Sequence, residues 1–157
     1  MDIFILGIFF WEGSMGHPYV YVGCFVRRQE LLEKVRHISS GHLYRIIENP
    51  HVTFAYKPES VDETLFGEPL EITMTGYAND GKNEGVKVEL TAENPRIREM
   101  IAQIEVPHIT LSVSETGDSV NTRFLDFSPI TPIKITGKYG GFITVENVVL
   151  RKPVSAD

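Results

Sequence analysis

The sequence predicts an α+β fold made of two similar halves, and three observations carry that expectation. Short runs rich in β-branched and aromatic residues recur along the chain, as in residues 19–26 (YVYVGCFV) and 85–91 (GVKVELT). Two stretches between such runs carry apolar residues at helical spacing: Leu31, Leu32, Val35 and Ile38, then Ile97, Met100, Ile101 and Ile104. A five-residue pattern occurs twice, as Pro50-His51-Val52-Thr53-Phe54 and Pro107-His108-Ile109-Thr110-Leu111, each time after one of those helical stretches.

In chain order, residues 19–26 read as a strand and 29–38 as a helix that Ser39-Ser40-Gly41 ends. Asn49-Pro50 signals a turn, and 51–56 is a short strand. Residues 58–62 are a polar break, with a helical turn expected at 61–66. Strands at 70–77 and 85–91 flank a hairpin loop containing Asn79-Asp80-Gly81. Asn94-Pro95 starts the second helix, since Asn is a good N-cap and Pro suits the first helical position. Residues 108–113 form the next strand and 114–122 a loop. Strands at 133–136 and 142–150 close the chain, with a turn expected at 138–141. The apolar run 3–11 is too short to span a bilayer, which takes about 20 residues. Residues 1–18 therefore read as an extra strand or an extension before the fold proper. No linker separates the halves, so residues 1–157 read as a single two-lobed domain.

Composition narrows the function. The 157 residues carry a net charge of −6, which argues against wrapping long DNA or RNA, because that needs a broad basic surface. A small phosphate ligand needs only a few local cations and stays open. The single cysteine, Cys24, rules out a disulfide framework within the chain and suits a reducing, cytoplasmic compartment. It sits in an apolar run and reads as a buried side chain rather than a nucleophile. No membrane partner is expected. The acidic group Glu59, Asp62, Glu63, Glu68 and Glu71 reads as a solvated face, and His17, His37 and His42 as surface residues. Gly137-Lys138 is not a P-loop, because the preceding glycines are missing.

The repeated motif carries the chemistry. Side chains alternate along a strand, so His51 and Thr53 share one face, as do His108, Thr110 and Ser112. Each strand thus offers an imidazole beside hydroxyls. Cleaving a phosphodiester by in-line attack requires a base for the incoming oxygen and an acid for the leaving one. Histidine titrates near pH 6.5, so a pair can divide those tasks. The threonine hydroxyls suit hydrogen bonds to non-bridging phosphate oxygens. No metal or other cofactor is called for, and metal-ligand spacings such as H-E-x-x-H or paired cysteines are missing. Tyr21 (to stack on a base), Tyr56, Lys57 and Ser112 are the expected substrate contacts.

The paired motifs, His51-Val52-Thr53-Phe54 and His108-Ile109-Thr110-Leu111, resemble those of the two-histidine (2H) phosphoesterase superfamily, and the resemblance extends in element order from about Tyr19 onward. It implies a bilobal, pseudo-symmetric fold: two antiparallel sheets flanking a central cleft, with the helices outside. It implies metal-independent hydrolysis of a 2′,3′-cyclic phosphate, at an RNA end or on a nucleotide, or of a small 2′,5′- or 3′,5′-linked oligonucleotide, cyclic ones included. His51, Thr53, His108 and Thr110 would be the catalytic residues. The alternative is a module that binds a nucleotide or RNA end without turning it over.

Overall fold

The computed structural model describes residues 16–151. The possible extra strand at 3–11 lies outside the described residues. In chain order the elements are β1 (Tyr21–Phe25), α1 (Arg28–Val35), β2 (Arg45–Ile46), β3 (His51–Tyr56), a 3-10 turn (Glu63–Leu65), β4 (Pro69–Asn79), β5 (Asn83–Thr91), α2 (Pro95–Ala102), β6 (His108–Val113), a second 3-10 segment (Ser119–Phe124), β7 (Ser128–Thr144) and β8 (Asn147–Val149). The described residues are α+β, with one eight-stranded antiparallel sheet in the order β2-β6-β5-β4-β7-β1-β3 and β8 added beside β7.

Local chemistry accounts for the helices. Asn94 caps α2, its side chain accepting from the backbone N–H of Arg96 at 2.9 Å and Ile97 at 3.3 Å, with Pro95 following as the first helical residue. α1 has no side-chain cap and rests on packing, through buried Leu31 and Val35. Both helices feed the same apolar cluster, which includes Val22, Val52, Ile72, Met74, Val86, Ile97, Ile109 and Leu111. Burying each large aliphatic side chain there stabilises the fold by about 1.5–3 kcal/mol before the entropy of ordering is subtracted.

The expected turn at 138–141 is not there. β7 runs unbroken through it, and the turn falls at Val145-Glu146. The glycines that suggested a turn serve close approach instead. A Cβ on Gly137 would lie 2.5 Å from Cys24 Sγ, one on Gly140 2.3 Å from the Val149 carbonyl oxygen, and one on Gly141 2.4 Å from the Tyr19 ring. This continuity also joins the sheet. The first part of β7 pairs with β4, and residues Lys138 to Phe142 pair with β1. The expected pair of separate sheets is therefore one hydrogen-bonded sheet in the structure.

The two ends of that sheet meet. β2 pairs with β6, and only residues 47–50 separate β2 from β3 at the opposite end of the strand order. The sheet thus curls until β3 and β6, the two motif strands, are in contact.

Candidate active site

His51 and His108 begin β3 and β6, and the surrounding backbone repeats. In each case the proline before the histidine turns its carbonyl to the neighbouring strand: Pro50 accepts from Val26 N–H at 3.2 Å and Pro107 from Val88 N–H at 3.1 Å. In each case the motif threonine faces a glycine, Thr53 opposite Gly23 and Thr110 opposite Gly85, beside a register irregularity. The glycines are needed because a Cβ there would meet the carbonyl oxygen of the middle motif residue, Val52 at 2.1 Å and Ile109 at 2.9 Å.

The imidazoles are held alike. His51 Nδ1 lies 2.8 Å from the Asn49 carbonyl oxygen, and His108 Nδ1 lies 2.8 Å from the Val106 carbonyl oxygen. A carbonyl only accepts, so each Nδ1 carries the hydrogen and donates it two residues back along the chain. That fixes the neutral tautomer and leaves Nε2 as the unprotonated nitrogen on each ring.

The two rings differ in their surroundings. His51 is packed among aromatic rings: Tyr21 at 4.4 Å between centroids and Phe25 at 5.5 Å, with Phe142 stacked on Tyr21 at 4.7 Å. Burial there lowers its pKa to about 4; the Asn49 carbonyl works against the shift and nearby His108 adds to it. His108 is also held below its ordinary value, first by burial, offset by the Val106 carbonyl, and further by the Arg123 guanidinium. The influence of His108 on His51 reflects the meeting of β3 and β6.

The hydroxyls are not equivalent either. Thr53 is half-buried and makes no side-chain hydrogen bond among the described residues. Thr110 donates to Thr122 Oγ1 at 2.7 Å, and Thr122 also accepts from Asn83 Nδ2 at 2.9 Å. Thr110 is thus committed to anchoring the second 3-10 segment.

The expected substrate contacts take other positions. Tyr21 is occupied by His51 and Phe142, and its hydroxyl lies 3.1 Å from His51 Nδ1, so it supports the imidazole rather than offering a free stacking surface. Burial raises its pKa, so the phenol stays protonated. Tyr56 ends β3, about 16 Å along the strand from His51, and Lys57 follows it. Tyr56 is exposed, with the Lys57 ammonium 5.5 Å from its ring centroid. Ser112 is sealed from solvent, accepts from Leu43 N–H at 2.9 Å and donates to Glu84 at 2.7 Å. It faces a buried polar cluster instead of a ligand.

That cluster and two cations are what the sequence did not reveal. Glu84 is fully buried; its carboxylate accepts from Ser39 Oγ (2.5 Å), His42 Nδ1 (2.8 Å), Tyr77 Oη (2.6 Å) and Ser112 Oγ. Burial alone would raise its pKa, but these four donors outweigh it and hold the carboxylate below its usual range. Lys87 is the register partner of His108, and Arg123 flanks the same histidine. Glu84 fell in the expected hairpin loop, Lys87 read as an ordinary residue of an alternating strand, and Arg123 lay just past the expected loop at 114–122.

Of the other groups read as surface, His37 is exposed. His17 Nε2 donates to the Pro58 carbonyl at 2.8 Å, and His42 holds Glu84. Asp62 pairs with Arg96 and caps the first 3-10 turn, Glu63 accepts from Tyr19 Oη, and Glu71 lies 3.8 Å from Lys134, so that acidic group is partly engaged. Cys24 is buried, and burial pushes its thiol up to about 12. Among the described residues no three histidine, cysteine or carboxylate side chains converge as metal ligands, and no helix is long and apolar enough to cross a membrane. Compared with protein-family models, curated proteins and solved structures, the chain matches none.

Proposed function

We propose that this chain is a metal-independent phosphodiesterase of the two-histidine kind, acting on a 2′,3′-cyclic phosphate or a small 2′,5′- or 3′,5′-linked oligonucleotide. The observation that carries the reading is the matched pair of imidazoles: on two touching strands, each spends Nδ1 on the carbonyl two residues back and keeps Nε2 for chemistry. The repeated Pro-His-x-Thr backbone, with its facing glycines, supports the pseudo-symmetric two-lobed arrangement that the motif resemblance implies.

The division of labour follows from the surroundings. His51, the ring whose pKa is about 4, is neutral at pH 7 and takes the proton from the attacking water. His108, beside the cationic Arg123, regains its proton when an anionic phosphate binds, and gives it to the leaving oxygen. The free Thr53 hydroxyl donates to a non-bridging oxygen as charge builds there. Water adds to phosphorus, one P–O bond breaks, and the two protons exchanged through the histidines balance.

The test is turnover in EDTA of 2′,3′-cyclic mononucleotides, an RNA ending in a cyclic phosphate, 2′,5′-oligoadenylate and cyclic dinucleotides. Hydrolysis of at least one class without added metal is expected. Tight binding of one of them with no hydrolysis between pH 4 and 9 would replace the enzyme with a nucleotide- or RNA-end-binding module.

A further inference from the structure

The two ends of the histidine pair are chemically unlike. At the His51 end the neighbours are Tyr21, Phe25 and Phe142, and the basic register position on that row, Lys138, stands two strands away with Phe25 between. At the His108 end there are two cations. Lys87 is directly opposite His108 on β5, so both side chains leave the same face with Cβ atoms about 5 Å apart. Arg123 follows Thr122, a fully buried residue pinned by Thr110 and Asn83; Thr110 shares the His108 face, so the anchor fixes the chain at Arg123 on that side of the site, close enough for the guanidinium to act on His108. The Arg123 guanidinium lies 4.7 Å from the centroid of the Phe124 ring, which is 69% exposed. Among the described residues neither Lys87 nor Arg123 has an ion-pair partner.

One phosphate between the imidazoles uses both proton-transfer groups and Thr53, and leaves these two cations without an anion. We propose that the site selects substrates with a second phosphate, which Lys87 and Arg123 hold at the His108 end while Phe124 offers a surface to the adjoining base. The substrate class is then a dinucleotide or short oligonucleotide, linear or cyclic, in preference to a 2′,3′-cyclic mononucleotide. The inference rests on the two-histidine reading and narrows it. A guanidinium and an ammonium suit this task because charge-assisted hydrogen bonds to phosphate are roughly twice as strong as neutral ones.

The experiment compares kcat/KM for adenosine 2′,3′-cyclic phosphate, the same nucleotide bearing a 5′-phosphate, and 5′-phosphorylated 2′,5′- and 3′,5′-linked diadenylates, using the full chain and its Arg123→Gln, Arg123→Lys and Lys87→Gln variants. The wild type is expected to prefer the two-phosphate substrates by about tenfold or more, and Arg123→Gln to shrink that ratio by about tenfold, chiefly through KM, with partial recovery in Arg123→Lys. Both positions are exposed, and a thermal melt checks that each variant is folded. Turnover of the one-phosphate substrate with no such preference, or a ratio that Arg123→Gln and Lys87→Gln leave unchanged, overturns the inference and leaves the two-histidine enzyme standing. No turnover of any phosphodiester by the wild type overturns both.

Discussion

Replacing His51 or His108 by Ala is expected to lower kcat on any phosphodiester the protein cleaves by roughly 10²–10⁴ each, the usual worth of a positioned acid or base. The losses should not add. Once one proton-transfer group is gone, the other has little left to do, so the double variant should resemble the worse single one. Neither change should unfold the protein: both rings are only part-buried, and each is tied to the fold by a backbone carbonyl, with the Tyr21 hydroxyl also beside His51. Removing His51 also relieves the burial of a group that resists protonation. Its folded pKa of about 4 lies below the reference value near 6.5, so the unfolded chain binds a proton first as pH falls. That costs the wild type stability between about pH 6.5 and 4, of the order of 3 kcal/mol at the lower end, and His51→Ala should lose less over the same interval. Steady-state kinetics together with urea denaturation at pH 7 and pH 4.5 separate the two effects.

Glu84→Leu is expected to cost about 3 kcal/mol or more, a large share of the 5–15 kcal/mol that holds a domain of this size together. The carboxylate collects four donors from three parts of the chain: Ser39 and His42 from the loop after α1, Tyr77 from β4 and Ser112 from β6. Leucine fills the volume but leaves Ser112, fully buried, without an acceptor for its hydroxyl. Glu84→Gln keeps one acceptor oxygen and should fall between the two. The carboxylate also has a pH signature. Its folded pKa is depressed, so its contribution is present above the unfolded value and is lost as pH falls through the folded one. Equilibrium unfolding in urea, read at pH 7, measures the cost directly; a loss under about 1 kcal/mol for Glu84→Leu would mean the cluster is not holding the loop to the sheet.

Much of the site could be read from the residues because its signals are local. Strands β3 and β6 begin and end where the pattern of β-branched and apolar residues placed them, and Asn94-Pro95 starts α2 as its capping chemistry requires. The motif histidines are tied down by carbonyls two residues away, an interaction contained within the motif itself. The rest depends on contacts between distant segments. Gly137, Gly140 and Gly141 look like turn residues until Cys24, Val149 and Tyr19 are seen to press against them. Glu84 lies in a strand whose exposed positions carry charge, and only the return of residues 39–43 across it buries the side chain. Tyr21 was expected to face a substrate base, but its ring stacks on Phe142 and on His51 instead. Arg123 becomes notable only through the Thr110–Thr122 hydrogen bond that sets its place.

The most direct test of the two-histidine site is the pH dependence of kcat/KM, measured in EDTA on the best substrate found. That quantity reports the free enzyme, which must hold His51 neutral and His108 protonated. It should therefore rise through a pKa of about 4 and fall through one below 6.5, giving a bell centred on the acid side of pH 6.5. The descending limb should move to higher pH in Arg123→Gln, since the guanidinium helps hold His108 down. A rate that climbs steadily with pH up to 9, or that appears only when a divalent metal is added, would contradict the account.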